Sequence, residues 1–206
     1  EPGDVCWADL NNDGVINNLD RVKVGNLFPT VTGGFSTTLG YKDFSLYARF
    51  DYALGHTLYN DLAARSLGQY QGSFNIIDMV KDSWSETNQN TDIPKFYYAD
   101  QLSKKNITRS NNGLTAVDNN SSRFYEKGDY LALREITLTW NLPKKWINKA
   151  LMSNASVYVT GQNLFYITGY TGVSPEPAVD TTYGQGLDNG RYPTPKTVLL
   201  GLSVTF

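Results

Sequence analysis

The sequence predicts an all-β chain, five antiparallel strands from the wall of a transmembrane β-barrel with long loops on one side. Three observations predict it. Apolar residues recur at every second position over runs of about 11 residues, longer than the usual 5–6 of soluble sheets. The connections between these runs alternate between short and long, the asymmetry of outer-membrane barrels. No run of about 20 apolar residues occurs, so a membrane crossing here has to be made by strands, which need only about 9–11 residues.

The first strand is expected at about 34–42, where Phe35, Thr37, Leu39 and Tyr41 share one face and Ser36, Thr38 and Gly40 the other. Lys42-Asp43 makes a hairpin turn. In the second strand, at about 44–55, Phe44, Leu46, Ala48, Phe50, Tyr52 and Leu54 form one face. Ser45, Tyr47, Arg49, Asp51 and Ala53 form the other. A long polar loop over 56–128 follows, with one amphipathic helix expected at Phe74–Trp84. The third strand, 130–142, sets Ile136, Leu138, Trp140 and Leu142 on one face, and its broken phase before Arg134 predicts a bulge. Pro143 and the segment KKWINKALM form the next connection, with a short helix. The fourth strand, 155–167, has no clear faces, and a second long loop covers 169–195. The last strand, 196–206, carries Val198, Leu200, Leu202, Val204 and Phe206 on one face, with Leu199 breaking the polar side.

Five such strands cannot close a barrel, which needs about eight. An open edge in lipid leaves backbone groups unpaired. The remaining wall is therefore expected in preceding chain, as the loop-like start EPGD also suggests. If the short turns are periplasmic, parity places residues 1–30 outside the cell, ahead of a region 31–206 holding the strands and both long loops.

Composition narrows the functional classes. A net charge of −2 provides no basic field for nucleic acid. Cys6 is the one cysteine and His56 the one histidine, so neither a disulfide framework nor a His-based zinc site is expected. No Gly-x-Ser-x-Gly, His-Glu-x-x-His or phosphate loop occurs, and no catalytic residue is expected.

The segment DLNNDGVINNLD, Asp9–Asp20, carries the clearest motif. Asp9, Asn11, Asp13 and Asn17 supply side-chain oxygens at EF-hand spacing, and Val15 supplies its carbonyl. Gly14 stands at the sharp turn, and Ile16 is expected to point inward. Asp20 replaces the usual bidentate Glu, as in dockerin-type loops. The expected ion is Ca²⁺, with Mg²⁺ second, stiffening an extracellular loop. The competing reading is an Asx-turn loop that needs no ion.

Arg49, Asp51 and Glu135 fall on the polar side of their strands. They line the lumen, as substrate contacts or as a salt-bridge network. Among loop aromatics, Tyr70, Trp84, Tyr97 and Tyr170 are candidates for substrate contact, alongside Phe96, Tyr98 and Tyr183. Packing between loops is the alternative.

Several segments, taken in order, resemble one family: GDVCWADLNNDGVINNLDRVKVGN, GGFSTTLGYKDFSLYARFDYALG, DSWSETNQNTDIPKF, SRFYEKGDYLALREITLTWNLPKKW, VYVTGQNLFYITGYTGVSPE and YPTPKTVLLGLSVTF. They resemble the C-terminal part of the SusC/RagA-type TonB-dependent outer-membrane transporters. The resemblance implies a barrel of about 22 strands with a plug, energy from TonB through the missing N-terminal region, and a SusD-like surface lipoprotein as lid. It implies import of glycan oligomers or peptides across the bacterial outer membrane. The rival class is a secreted β-sandwich binding module with a dockerin-like calcium loop. That class gives no reason for the long loops to alternate.

Overall fold

The computed structural model describes residues 2–15, 17–64, 66, 78–96, 122–148, 151–176, 186–190 and 192–206. Its strands are β1 (Val31–Tyr41), β2 (Phe44–Leu54), β3 (Thr57–Asn60), β4 (Tyr125–Lys127), β5 (Tyr130–Asn141), β6 (Asn154–Thr168), β7 (Leu187–Asp188) and β8 (Thr197–Thr205). The short helices are α1 (Asp61–Ala64) and α2 (Lys144–Ile147). The five strands expected from periodicity are β1, β2, β5, β6 and β8. Their neighbours are antiparallel, in the order β1-β2-β5-β6-β8.

The chain divides into two compact units. One comprises Phe28–His56, Lys127–Pro177 and Tyr192–Phe206, and it contains the five-stranded sheet. Lys42 turns the first hairpin at φ 54, which brings Tyr41 opposite Phe44. From there the register aligns apolar residues in rows across the strands. One row runs Leu39, Leu46, Leu138, Val159, Leu200; the next runs Tyr41, Phe44, Trp140, Val157, Leu202.

The pairing steps from Arg49↔Glu135 to Phe50↔Leu133 and skips Arg134. This is the bulge that the phase break signals. It returns Leu133 and Leu131 to the apolar face, opposite Phe50 and Tyr52. It also fixes the faces of β6, where Val157, Val159, Phe165 and Ile167 join the apolar rows.

The apolar face is uncovered: Val198 is 72%, Leu200 80% and Leu202 65% exposed. Water-soluble proteins rarely display a contiguous apolar surface of this kind. Its length fits a bilayer. Phe44 to Leu54 covers about 33 Å along the strand, or about 25 Å once tilted, close to the apolar band of outer-membrane barrels.

Aromatic rings gather where the short turns lie. Phe44 stacks on Trp140 at 6.1 Å, Trp146 of α2 meets Trp140 edge-on at 5.9 Å, and Lys42 lies over the Tyr41 ring. Amphipathic rings favour the membrane–water interface. At the opposite end, the β2–β5 and β6–β8 connections contain the two long insertions.

The other unit comprises Glu1–Leu27, Thr57–Glu126 and Ala178–Arg191. Here a small sheet forms in the order β4-β3-β7, where the sequence reading has only loop. Tyr59, Ala64 and Phe124 form its core, with Ala63, Tyr125 and Leu187 packed against it. Asn60 caps α1 by accepting from the Ala63 amide, and it donates to Glu126 at 3.0 Å.

The helix expected at Phe74–Trp84 is a 3₁₀ turn at Asp78–Asp82 in its described part. The KKWINKALM helix is limited to Lys144–Ile147 among described residues. No helix among the described residues is long and apolar enough to cross a membrane, which leaves strand crossings open.

Candidate functional site

The polar face of the five-stranded sheet is the candidate site. Ser36, Arg49, Glu135, Gln162 and Thr197 form one row across it, and Gly34, Asp51, Ala132 and Tyr166 form another. Arg49 therefore stands directly opposite Glu135, on the polar side where the sequence phase puts both. Glu135 accepts from Thr137, whose hydroxyl meets that of Thr160 at 2.8 Å.

Asp51 takes part in a denser cluster around Arg134. Arg134 Nε donates to Asp51 Oδ2 at 2.9 Å, Nη2 pairs with Glu176 Oε1 at 2.5 Å, and Nη1 donates to the Tyr166 hydroxyl at 3.2 Å. Tyr166 in turn donates to Glu176 at 2.7 Å. The bulge is what aims Arg134 at this face, because two consecutive residues, Arg134 and Glu135, then share one side. The sequence reading missed Arg134 and Glu176. The phase break was the available signal for the first, and nothing in the local pattern marked the second.

His56 lies close to the same loop root. It is buried, its Nε2 lies 2.9 Å from the Pro175 carbonyl, and its ring meets Tyr130 edge-on. A Cβ on Gly128 would come within 2.3 Å of His56 Nε2, so glycine is required for the ring to sit there. Tyr170 is buried rather than displayed to a ligand, with Gly172 close against its ring.

Trp84, in the other unit, is half-buried. The Gly3 backbone presses on its indole, Lys95 Nζ lies 5.9 Å from the ring, and its amide donates to the Ile93 carbonyl. Beside it is a cleft of about 320 Å³ lined by Gly3–Cys6, Trp84, Thr91–Pro94 and Arg123. Cys6 is a free, exposed thiol. Tyr70, Tyr97, Tyr98 and Tyr183 lie outside the described residues, as does Ile16.

The Asp9–Asp20 loop is knit together by its own carboxylates. Asp9 accepts from the Asp13 and Gly14 amides, and Asp13 from the Val15 amide. Asp20 accepts from Leu10 at 2.8 Å and from Asn17 at 2.7 Å, drawing the ends of the loop together. The Asn17 and Leu10 amides hold its carboxyl below the ordinary value, with Asn11 adding to them against slight desolvation. Gly14 takes φ 81, the left-handed turn that the spacing demands. Among the described residues no three acidic, His or Cys side chains converge as a metal-holding group. A carboxylate has about four lone-pair positions, so an N–H donor leaves room for a cation on the same oxygen.

Comparison with known proteins decides the family. The chain is 32% identical over 212 residues to TonB-dependent receptor P3 of Formosa agariphila, all of this chain and 19% of the relative. It is 25% identical over 208 residues to TonB-dependent receptor SusC of Bacteroides thetaiotaomicron, again over the whole chain and 18% of the relative. Among solved structures, the RagAB peptide transporter superposes with a TM-score of 0.66 at 26% identity, over 87% of this chain and 17% of that one. No family model matches.

The chain belongs to the SusC/RagA-type TonB-dependent outer-membrane transporters. It spans about a fifth of the length of the curated relatives it matches. The exposed apolar rows are therefore the lipid face of a barrel wall in the outer membrane, and the charged rows face its lumen. The β-sandwich alternative gives way to this membership.

Proposed function

We propose that this chain supplies part of the wall and the extracellular loops of an importer for oligomers too large to diffuse through a porin. The observation that carries the reading is the two-faced sheet, apolar and exposed on one side and charged on the other. The substrates are peptides or glycan oligomers, and the solved relatives named as peptide transporters weigh toward peptides. The full barrel has about 22 strands and a plug contributed by preceding chain. β1 and β8 offer the edges at which the sheet continues. TonB supplies the energy through the N-terminal region, and a SusD-like lipoprotein closes the extracellular side over the loops.

Ca²⁺ belongs to the same reading. The Asp9–Asp20 hydrogen bonds already bring both ends of the loop together, and a cation would relieve repulsion among Asp9, Asp13 and Asp20. Asp9, Asn11, Asp13, Val15, Asn17 and Asp20 would hold it, and its role would be to stiffen the loop.

The test is to purify the intact transporter from outer membranes in mild detergent and identify its companions by mass spectrometry. A stoichiometric surface lipoprotein is the expected result. Recovery of the protein from the soluble fraction, without such a partner, would overturn the reading.

A further inference from the structure

The connection that follows β6 is pinned at its root by two consecutive residues. Pro175 offers its carbonyl to buried His56, and Glu176 offers its carboxylate to Arg134 and Tyr166. Arg134 and Tyr166 belong to strands, and so does Asp51 on the far side of the guanidinium. Backbone ladders fix Asp51 and Tyr166, and the paired Leu133 and Glu135 hold the bulged Arg134 between them. Glu176 alone comes from a connection.

The charges in this cluster do not balance. One guanidinium faces two carboxylates, and Asp51 by itself neutralises it. Both hydrogen bonds to Glu176 converge on a single oxygen, Oε1. The carboxylate is therefore held by a cation already shared, and it is a third exposed, within reach of water and solutes. An arginine edge beside a hydroxyl recognises carboxylates in general, not this one in particular.

We propose that Arg134 is a carboxylate-exchange point in the lumen. In the resting chain Glu176 fills it. A carboxylate-bearing ligand displaces Glu176, keeps the Arg134 and Tyr166 contacts, and frees the segment Ser174–Glu176 from the wall. This inference rests on the reading of the polar face as lumenal. It assigns the site to acidic substrates such as peptides with Asp, Glu or a free C-terminus.

The experiment uses the intact transporter in detergent and hydrogen–deuterium exchange of peptides covering 170–176. The probe is tetra-aspartate at millimolar concentration, against tetra-asparagine amidated at its C-terminus, which has no carboxylate, with sodium chloride matched for ionic strength. Tetra-aspartate is expected to raise exchange in this segment several-fold, and tetra-asparagine to leave it unchanged. Glu176→Gln is expected to show the raised exchange without ligand and no further response. Arg134→Gln should behave in the same way. No response of the wild-type segment to tetra-aspartate overturns the proposal, whatever the variants show. An equal response to both peptides also overturns it. Neither result bears on lipoprotein co-purification, so the importer reading stands or falls separately.

Discussion

Arg134 reaches Asp51 at 2.9 Å across the β2–β5 pair, and it can do so only because the strand register skips it. A regular β5 would place Arg134 on the face opposite Glu135, among the apolar rows and in lipid. The bulge turns a charged residue that would disrupt the lipid face into the centre of a lumenal network.

A double-mutant cycle measures that contact. Arg134→Met and Asp51→Asn should each destabilise the intact barrel, and together by less than their sum. The coupling should be about 1 kcal/mol, since hydrogen bonds to charged groups contribute ~1.5–3 kcal/mol and the partly exposed Asp51 side chain is screened. Urea unfolding in detergent provides the reading. Additive effects would mean that the pair is incidental.

Neighbouring residues on β8 should respond oppositely to charge. Leu200→Arg puts a cation on the lipid face and should cost about 2–4 kcal/mol near the bilayer midplane, reducing the folded barrel recovered from outer membranes. Leu199 pairs with Thr160 on the polar face, so Leu199→Arg should assemble normally. Equal yields from the two variants would contradict the assigned faces.

Gly128→Ala tests the His56 seat. The added methyl meets the imidazole at 2.3 Å. Displacing the ring breaks its hydrogen bond to Pro175, and overpacking of this kind costs about 1–3 kcal/mol. The expected outcome is a lower melting temperature together with raised exchange at the Glu176 amide, which donates to Ser174. Unchanged exchange there would dissociate His56 from the loop root.

The Asp9–Asp20 loop should respond to calcium and to acid. Ca²⁺ is expected to slow amide exchange over residues 9–20 of the intact protein, and chelator to reverse it. Asp9→Asn with Asp13→Asn should remove the response. If Ca²⁺ leaves exchange unchanged in the wild type, the loop is held by its Asx turns alone.

Acid acts through Asp20, whose folded carboxyl lies below its ordinary value. Its contribution is complete above the ordinary carboxylate range and is lost as pH falls through the lowered folded value. The amides of Leu10 and Asn17 should lose protection over that window. In Asp20→Asn the pH step should disappear.

The sequence made the sheet legible because one side of it meets lipid and the other the lumen. Two solvents of opposite character impose a period of two on every strand. The predicted strand ends at Phe44 and Tyr130 coincide with the observed ones, and the predicted bulge falls at Arg134. β3, β4 and β7 escaped notice because each has four residues or fewer, too short for a period to show. Glu176 was invisible for another reason. Its partner lies 42 residues away by numbering, and only the folded chain brings them together. Tyr170 and Trp84 differ in a way the local pattern does not carry: Tyr170 is buried beside Gly172, whereas Trp84 is half-buried and lines a cleft.

The central claim is that this sheet has one face in lipid and one in the lumen. Single cysteines at Val198, Leu199, Leu200, Leu202 and Ser203, in an otherwise cysteine-free intact transporter, test it most directly. Reaction with a water-soluble, charged thiol reagent should alternate in outer membranes. It should be fast at Leu199 and Ser203 and negligible at Val198, Leu200 and Leu202. Uniform labelling along the strand would contradict the account.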